Sequence, residues 1–255
     1  MAQLLHDHPR GVPRVRLAGR RLYRRYVRPD RTSSSGVFAE GFAIYLAGFV
    51  AASLAVALLW PSAGLGATYS LMLIVPLVVG WMRLRGVSSA EIRYGLGWHK
   101  GRGFLREVGA GLVGYITGLP LIGLGMLASM LLMRYFGEPG QGGHPIQDMP
   151  IDSPIDILQL YLLASVMAPL VEETMFRGAL FHHLRRRFPW IISTLIVTVI
   201  FAAIHPQGWV AIPVLGCVAV VLAGIREWRG SLIGSITAHA IHNGAAISLL
   251  VLMSR

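Results

Sequence analysis

Two glutamates and an arginine lie inside an otherwise apolar run of the chain, at Glu172, Glu173 and Arg177. Such groups are costly in hydrocarbon unless they are paired or hydrated, and those that persist there commonly serve a function. A carboxylate removed from water becomes a stronger base, so Glu172 is a candidate to accept a proton from water. Glu173 and Arg177 are four residues apart, which predicts an ion pair that supports the helix or orients a substrate.

Two later apolar runs also carry polar side chains. One ends at His205, and the other contains His239 and Asn243, which share a helix face because they are four residues apart. Hydrolysis of a peptide bond requires a base that deprotonates water and donors that stabilise the oxyanion. The residue types therefore suggest that Glu172 and His205 activate water, while His239 and Asn243 donate hydrogen bonds to the oxyanion.

The elements that must position these groups are membrane-spanning helices. Apolar residues make up 54% of the 255 residues and charged residues only 14%, and the mean hydropathy is +0.59. Soluble domains carry about a quarter charged residues. The composition and the long uncharged runs predict an all-α polytopic membrane protein, a bundle of about seven transmembrane helices. The predicted spans are 37–60, 64–82, 107–133, 155–183, 190–205, 209–225 and 231–253.

The net charge of +11 is gathered in clusters that alternate with the apolar runs. This pattern is typical of cytoplasmic loops beside anionic lipids, so nucleic acid is not expected as a partner. We expect an integral protein of the bacterial cell membrane with its amino terminus in the cytoplasm. Residues 1–36 are predicted to form a basic, flexible cytoplasmic arm that contacts anionic lipids, and 37–255 a single transmembrane domain. Cys217 is the only cysteine, which excludes an intramolecular disulfide.

The depth of the polar groups follows from this topology and a helical rise of about 1.5 Å per residue. Counted from the cytoplasmic ends of the spans, Glu172 and Asn243 lie about 18 Å deep, His239 about 12 Å and His205 about 22 Å. The hydrocarbon core is about 30 Å thick. Three separate spans are therefore expected to bring polar groups together near the bilayer midplane.

These residues form three motifs in order: Glu-Glu-x-x-x-Arg, Phe-x-x-x-His and His-x-x-x-Asn, at Glu172, Glu173, Arg177, Phe201, His205, His239 and Asn243. The set resembles the CAAX-prenyl-protease and bacteriocin-processing (CPBP, Abi-type) family of intramembrane proteases. The resemblance covers about 155–253, the expected protease core. It implies a CAAX-type endopeptidase that cuts a membrane-associated protein or peptide, with Glu172 as the principal base. The substrate is expected to enter from the cytoplasmic side or laterally.

The requirement for a metal stays open at this point. Glu172, His205 and His239 with a water would make a zinc site of two imidazoles and one carboxylate. The chain lacks the His-Glu-x-x-His pattern of many zinc peptidases. The family is commonly described as metalloproteases, yet a glutamate-activated water without metal fits these residues equally well.

Other interpretations also stay open. The same fold could serve a non-catalytic immunity or scaffold protein, or a small proton-coupled transporter with Glu172, Glu173 and His205 as its relay. Pro169 is expected to kink its helix and to free the carbonyl near Ser165, which would open room for water beside Glu172. Packing or interfacial positions are expected for Trp98, His99, His182, His183 and His242.

Overall fold

The computed structural model describes residues 34–59, 74–137 and 153–253, and the regular structure in these ranges is helical. Most of the predicted arm 1–36 and the predicted start of the second span therefore lie outside the described residues. In chain order the helices are α1 (Ser34–Leu59), α2 (Ile74–Leu84), α3 (Ser89–Leu96), α4 (Phe104–Phe136), α5 (Pro154–Arg185), α6 (Trp190–Ala203), α7 (Trp209–Arg229) and α8 (Leu232–Met253).

Seven of the helices in the described ranges are apolar. Five of them, α1, α4, α5, α7 and α8, are long and apolar enough to cross a membrane, and α2 and α6 are shorter. Each overlaps one predicted span, so the prediction of an all-α polytopic membrane protein is confirmed. The helix ends differ from the predicted ones by a few residues, because polar end turns continue the hydrogen-bonding pattern beyond the apolar segment.

Helix α3 was not predicted, and it lies in the polar connection between α2 and α4. Ser88 and Glu91 form a capping box, in which Ser88 Oγ accepts from the Glu91 N–H and the Glu91 carboxylate accepts from the Ser88 N–H. The side-chain hydrogen bond from Ser88 holds the pKa of the Glu91 carboxyl below its ordinary value. The helix ends at Gly97, whose φ of +85° is a left-handed conformation that favours glycine.

Two buried clusters hold the bundle together. The larger one joins α1, α2, α3, α5, α6 and α7, and many aromatic side chains fill it, among them Phe38, Phe42, Phe176, Phe181 and Phe201. The smaller one joins α4, α7 and α8 through Ile122, Val218, Leu222, Ile225 and Ala238. Glycines on α4 allow the close approach, since a Cβ at Gly111 would lie 2.4 Å from the carbonyl oxygen of Gly234. The larger cluster thus holds α5 and α6, and the smaller one holds α8, which are the helices that carry the candidate site.

Helix α5 departs from regular α geometry at two places. Residues Leu162–Met167 and Glu173–Leu180 are wound as π-helical turns, in which an N–H donates to the carbonyl five residues earlier. Such wide turns occur mostly as short bulges inside α-helices and frequently at functional sites. Glu172 lies between the two stretches.

Candidate active site

The structure brings three of the predicted site residues to one point between α5, α6 and α8. Glu172 Oε2 lies 3.9 Å from His205 Nε2 and 3.8 Å from His239 Nε2. Both distances are too long for a direct hydrogen bond and leave room for a bridging water. Glu172 Oε2 is buried and has no hydrogen-bond partner among the described residues. A carboxylate oxygen therefore faces two imidazoles without a donor of its own.

The other ring nitrogen of each histidine fixes its orientation. His205 follows the end of α6, and its Nδ1 lies 2.5 Å from the Phe201 carbonyl oxygen. Because a carbonyl oxygen can only accept, Nδ1 carries the hydrogen, and Nε2 of the neutral ring is an acceptor that points at Glu172. The ring also packs on Phe201, with 4.2 Å between the ring centroids. In the Phe-x-x-x-His motif, the histidine therefore lies four residues after the phenylalanine whose backbone carbonyl it bonds.

Glu173 and Arg177 form the predicted ion pair. Arg177 Nη1 lies 2.9 Å from Glu173 Oε1, and both side chains are 0% exposed. Arg177 also donates to the Ala219 carbonyl at 3.2 Å, and its guanidinium lies 4.5 Å from the Phe201 ring centroid. Glu173 Oε1 accepts from His239 Nδ1 as well, at 3.0 Å. The pair therefore holds α5, α7 and α8 together and orients the His239 ring towards Glu172.

Asn243 is engaged with a backbone group that Pro169 leaves free. Its Nδ2 donates to the Ala164 carbonyl oxygen at 2.8 Å. In a π turn this carbonyl would accept from residue 169, which is a proline without an N–H. The free carbonyl was expected near Ser165, as in an α-helix, and lies one residue earlier because the turn is wider. Asn243 retains a second N–H, since an amide nitrogen carries two.

The four predicted residues line a cavity of about 600 Å³. Its walls come from α1, α5, α6, α7, α8 and the turn after α6, and they are mainly apolar. From the level of Glu172 the cavity extends towards Leu163 on α5 and Leu250 on α8, the end of the bundle at which α5 begins. With the amino terminus in the cytoplasm as predicted, this is the outer end. Entry of a substrate from the cytoplasmic side or laterally stays a prediction.

A layer of polar contacts lies at the other end of the bundle. Trp98 Nε1 donates to Thr174 Oγ1 at 3.0 Å, directly after Glu173. Arg226 is buried and donates to the carbonyl oxygens of Arg177 and Gly95, each at 3.2 Å. The connection between α3 and α4 is thus bonded to the helix that carries the glutamates. Trp98 was expected only as an interfacial residue, and its contact with Thr174 is a role that sequence reasoning missed.

Glu107 and Arg229 form a second buried ion pair that sequence reasoning also missed. Arg229 donates from Nε and Nη2 to the two carboxylate oxygens of Glu107, both at 2.8 Å. The Arg102 N–H donates to the same carboxylate at 2.8 Å. A signal was present, since Glu107 stands at the first position of a predicted span, where an acid requires a partner. The sequence could not identify that partner on another helix.

The remaining histidines are not equivalent. His182 is buried against Phe38, and His183 Nδ1 lies 2.6 Å from the Ser35 carbonyl oxygen, so both are packing residues as expected. His242 lines the cavity, and its Nδ1 lies 3.4 Å from the Tyr115 hydroxyl. It is therefore closer to the candidate site than the sequence indicated.

The placement of Glu172, His205 and His239 can be compared with that of a zinc site. Zinc holds nitrogen and oxygen ligands at about 2.0–2.2 Å, which puts the ligand atoms of a tetrahedral site about 3.4 Å apart. The Oε2 to Nε2 distances are 3.8 and 3.9 Å. In the described part of the chain, no group of three His, Cys, Asp or Glu side chains is placed to hold a metal ion. As placed, the Glu172 oxygen and the two imidazole nitrogens are about 0.4 Å more widely spaced than zinc ligands.

Comparisons with known proteins identify the part of the chain that forms this site. Residues 154–245 match the family model described as type II CAAX prenyl endopeptidase Rce1-like. The matched segment contains all three motifs and excludes α1 to α4. No curated protein matches the chain, and no solved structure does. The match confirms the resemblance drawn from the motifs: residues 154–245 are similar to the type II CAAX prenyl endopeptidases.

Proposed function

We propose that the protein is a CAAX-type intramembrane endopeptidase that hydrolyses a peptide bond of a membrane-associated protein or peptide. One observation carries the proposal, namely the buried Glu172 oxygen that has no hydrogen-bond partner among the described residues and faces two imidazole nitrogens at 3.8 and 3.9 Å. A purely structural carboxylate would be expected to have a protein donor. A water fits the gap as the missing partner.

The proposed reaction uses the side chains alone. Glu172 Oε2 and His205 Nε2 are both acceptors, so one water can donate its two O–H groups to them and direct a lone pair into the cavity. Glu172 takes a proton as the water oxygen bonds to the scissile carbonyl carbon. The carbon–nitrogen bond then breaks, and the proton held by Glu172 passes to the leaving amine. The products are a carboxylic acid, which keeps the second proton of the water, and an amine; the acid then passes that proton to the amine or to water.

His239 and Asn243 are proposed to stabilise the oxyanion. Asn243 has an N–H that the Ala164 carbonyl does not use. His239 can donate from Nε2 only when both ring nitrogens carry hydrogens, and Glu173 is placed to accept the Nδ1–H of that form. Glu173 and Arg177 thereby act as positioning residues, because neither is among the described residues that line the cavity.

The apolar cavity walls support a lipid-modified substrate. A prenylated peptide presents a long apolar chain beside a peptide bond, and a mainly apolar cavity with a few converging polar groups suits such a ligand. The matched family is described by activity on prenylated CAAX sequences, and the same substrate class is proposed for this chain. The cavity extends away from the amino-terminal end of α1, and lateral entry of the substrate from the bilayer is proposed.

The test is cleavage by the purified full chain in liposomes. The substrate is an internally quenched peptide with a farnesylated cysteine four residues from its carboxyl terminus. Glu172→Gln is expected to abolish cleavage, and His205→Ala to lower it at least about 100-fold, the usual scale for an acid–base residue. Glu40→Gln is the matched control, because Glu40 lies at the surface in a pair with Arg85.

Three outcomes discriminate between the functions. Loss of cleavage in Glu172→Gln, with normal cleavage by Glu40→Gln, supports the proposal. Wild-type cleavage by Glu172→Gln would refute the mechanism. The third outcome is proton flux across the same liposomes in the absence of cleavage. If Glu172→Gln abolishes this flux, the result would favour the alternative hypothesis of a small proton-coupled transporter.

A further inference from the structure

Tyr45 on α1 is a polar residue of the cavity that the three motifs do not contain. Its side chain lines the cavity and is only 3% exposed. The ring is held by aromatic neighbours, with centroid distances of 6.1 Å to Phe42, 6.2 Å to Phe49 and 6.4 Å to Phe176. The contact with Phe176 is edge-on, at an interplanar angle of 86°. The ring position is therefore fixed on three sides.

The hydroxyl of Tyr45 is not used by the fold. It has no hydrogen-bond partner among the described residues, although a buried tyrosine hydroxyl usually finds one. Its phenol lies within electrostatic reach of the Glu172 carboxylate. By helical rise, Tyr45 stands about 16 Å from the start of α1, and Glu172 about 20 Å from the end of α5, so both lie at the same level of the bundle.

Other donors of the cavity are engaged or lie further away. His205 Nε2 is an acceptor in the neutral ring, and His242 contacts the Tyr115 hydroxyl. Ser53 lies two turns beyond Tyr45 on α1, about 12 Å along the axis. The donors that remain on the described walls are Asn243, His239, Tyr45 and Gln207, which lies in the turn after α6.

We propose that the Tyr45 hydroxyl donates a hydrogen bond to the carbonyl oxygen of the scissile peptide bond and to the oxyanion that replaces it. The role rests on the proposed function, and it adds a donor from α1 to those on α8. The proton stays on the tyrosine throughout, so the step transfers no atom. Since α1 lies outside residues 154–245, the active site extends beyond the matched segment.

The test is Tyr45→Phe, which removes the hydroxyl and keeps the ring that packs on Phe176. Loss of one oxyanion donor typically lowers kcat about 100- to 1000-fold. We expect this decrease in kcat with KM changed less than about 3-fold, since the bond strengthens only in the transition state. Tyr161→Phe is the matched control, because the Tyr161 hydroxyl bonds Ser248 at 2.7 Å and lies outside the cavity lining.

A second measurement is independent of turnover. A farnesylated peptide with a phosphinate in place of the scissile bond presents a tetrahedral oxyanion, and Tyr45→Phe is expected to weaken its binding about 100-fold. In protein that carries Glu172→Gln and does not cleave, adding Tyr45→Phe should leave the affinity for the parent peptide unchanged. Normal kcat and normal phosphinate affinity in Tyr45→Phe would overturn the role of Tyr45 alone. Wild-type cleavage by Glu172→Gln would overturn the proposed function and this role together.

Discussion

The buried pair of Glu107 and Arg229 offers a sharp test of the fold. Glu107→Gln keeps the size of the side chain and removes its charge. The pair connects the start of α4 to the end of α7 by two hydrogen bonds of 2.8 Å, and Glu107 is 0% exposed. The substitution leaves the Arg229 guanidinium buried without its counter-ion. Among exposed pairs, that of Glu40 and Arg85 provides the contrast.

The expected magnitude follows from burial. Removing one partner of a buried ion pair costs about 3–5 kcal/mol, a large part of a total stability of about 5–15 kcal/mol. A loss of about 3 kcal/mol lowers the ratio of folded to unfolded protein roughly 150-fold. Glu40→Gln should cost less than about 1 kcal/mol, because water and lipid headgroups screen an exposed pair.

The assay is reversible unfolding of the full chain in mixed micelles, followed by tryptophan fluorescence as the fraction of denaturing detergent rises. Glu107→Gln, Arg229→Gln and the double variant complete a thermodynamic cycle. The double variant should be less destabilised than the sum of the single variants by at least about 2 kcal/mol, since it leaves no unpaired charge. A Glu107→Gln cost as small as that of Glu40→Gln, or strictly additive single costs, would refute the reasoning.

Three further predictions concern a backbone acceptor, a metal and a helix cap. Asn243→Ala should lower the free energy of unfolding by about 1–3 kcal/mol, because it leaves the buried Ala164 carbonyl without a donor. Pro169→Ala supplies a backbone N–H that can donate to the Ala164 carbonyl, so the double variant Pro169→Ala, Asn243→Ala should recover part of the lost stability. Additive losses from the two substitutions would contradict the pairing of Asn243 with this carbonyl. Cleavage should persist after chelation, with less than one metal per chain by mass spectrometry; activity that is lost to chelator and restored by zinc would contradict the mechanism. Because the pKa of Glu91 is lowered in the fold, its contribution to α3 is present at neutral pH and lost as the pH falls below about 4.5 through the lowered value. Amide hydrogen exchange of α3 should therefore become faster at low pH. Ser88→Ala, which removes the cap, should make the exchange faster already at neutral pH. An exchange rate of α3 that does not depend on the protonation of Glu91 in this way would contradict the assignment.

The sequence predicted the helices better than their internal geometry. The apolar runs indicated all seven apolar helices, because twenty uncharged residues have few other stable arrangements in a bilayer. They could not indicate the π turns of α5, which depend on tertiary partners. The wide turn at Leu162–Met167 leaves the Ala164 carbonyl to Asn243, a residue about eighty positions later. Local periodicity contains no information about such a partner.

For the site, the motifs indicated which side chains lie near one another but not how each is used. Glu172, His205 and His239 were expected at one depth. In the structure, Nε2 of each histidine lies within 4 Å of Glu172 Oε2. The bond between His239 and Glu173 was not expected, because two residues on different helices have no fixed spacing in sequence. Tyr45 was missed for the same reason: a tyrosine in an apolar run has no signature until its neighbours are known.

The two π turns of α5 also set which helix face each later residue of α5 occupies. Each π turn holds about one more residue than an α turn and rotates all later positions by about 100° relative to a regular helix. A helical wheel drawn from Pro154 therefore misplaces Glu172, and it misplaces Arg185 still more. Such a turn is the geometry expected where a helix accommodates one extra residue without a loop. Relatives without the first turn should be one residue shorter between Ser153 and Glu172, and the gap belongs within 162–167.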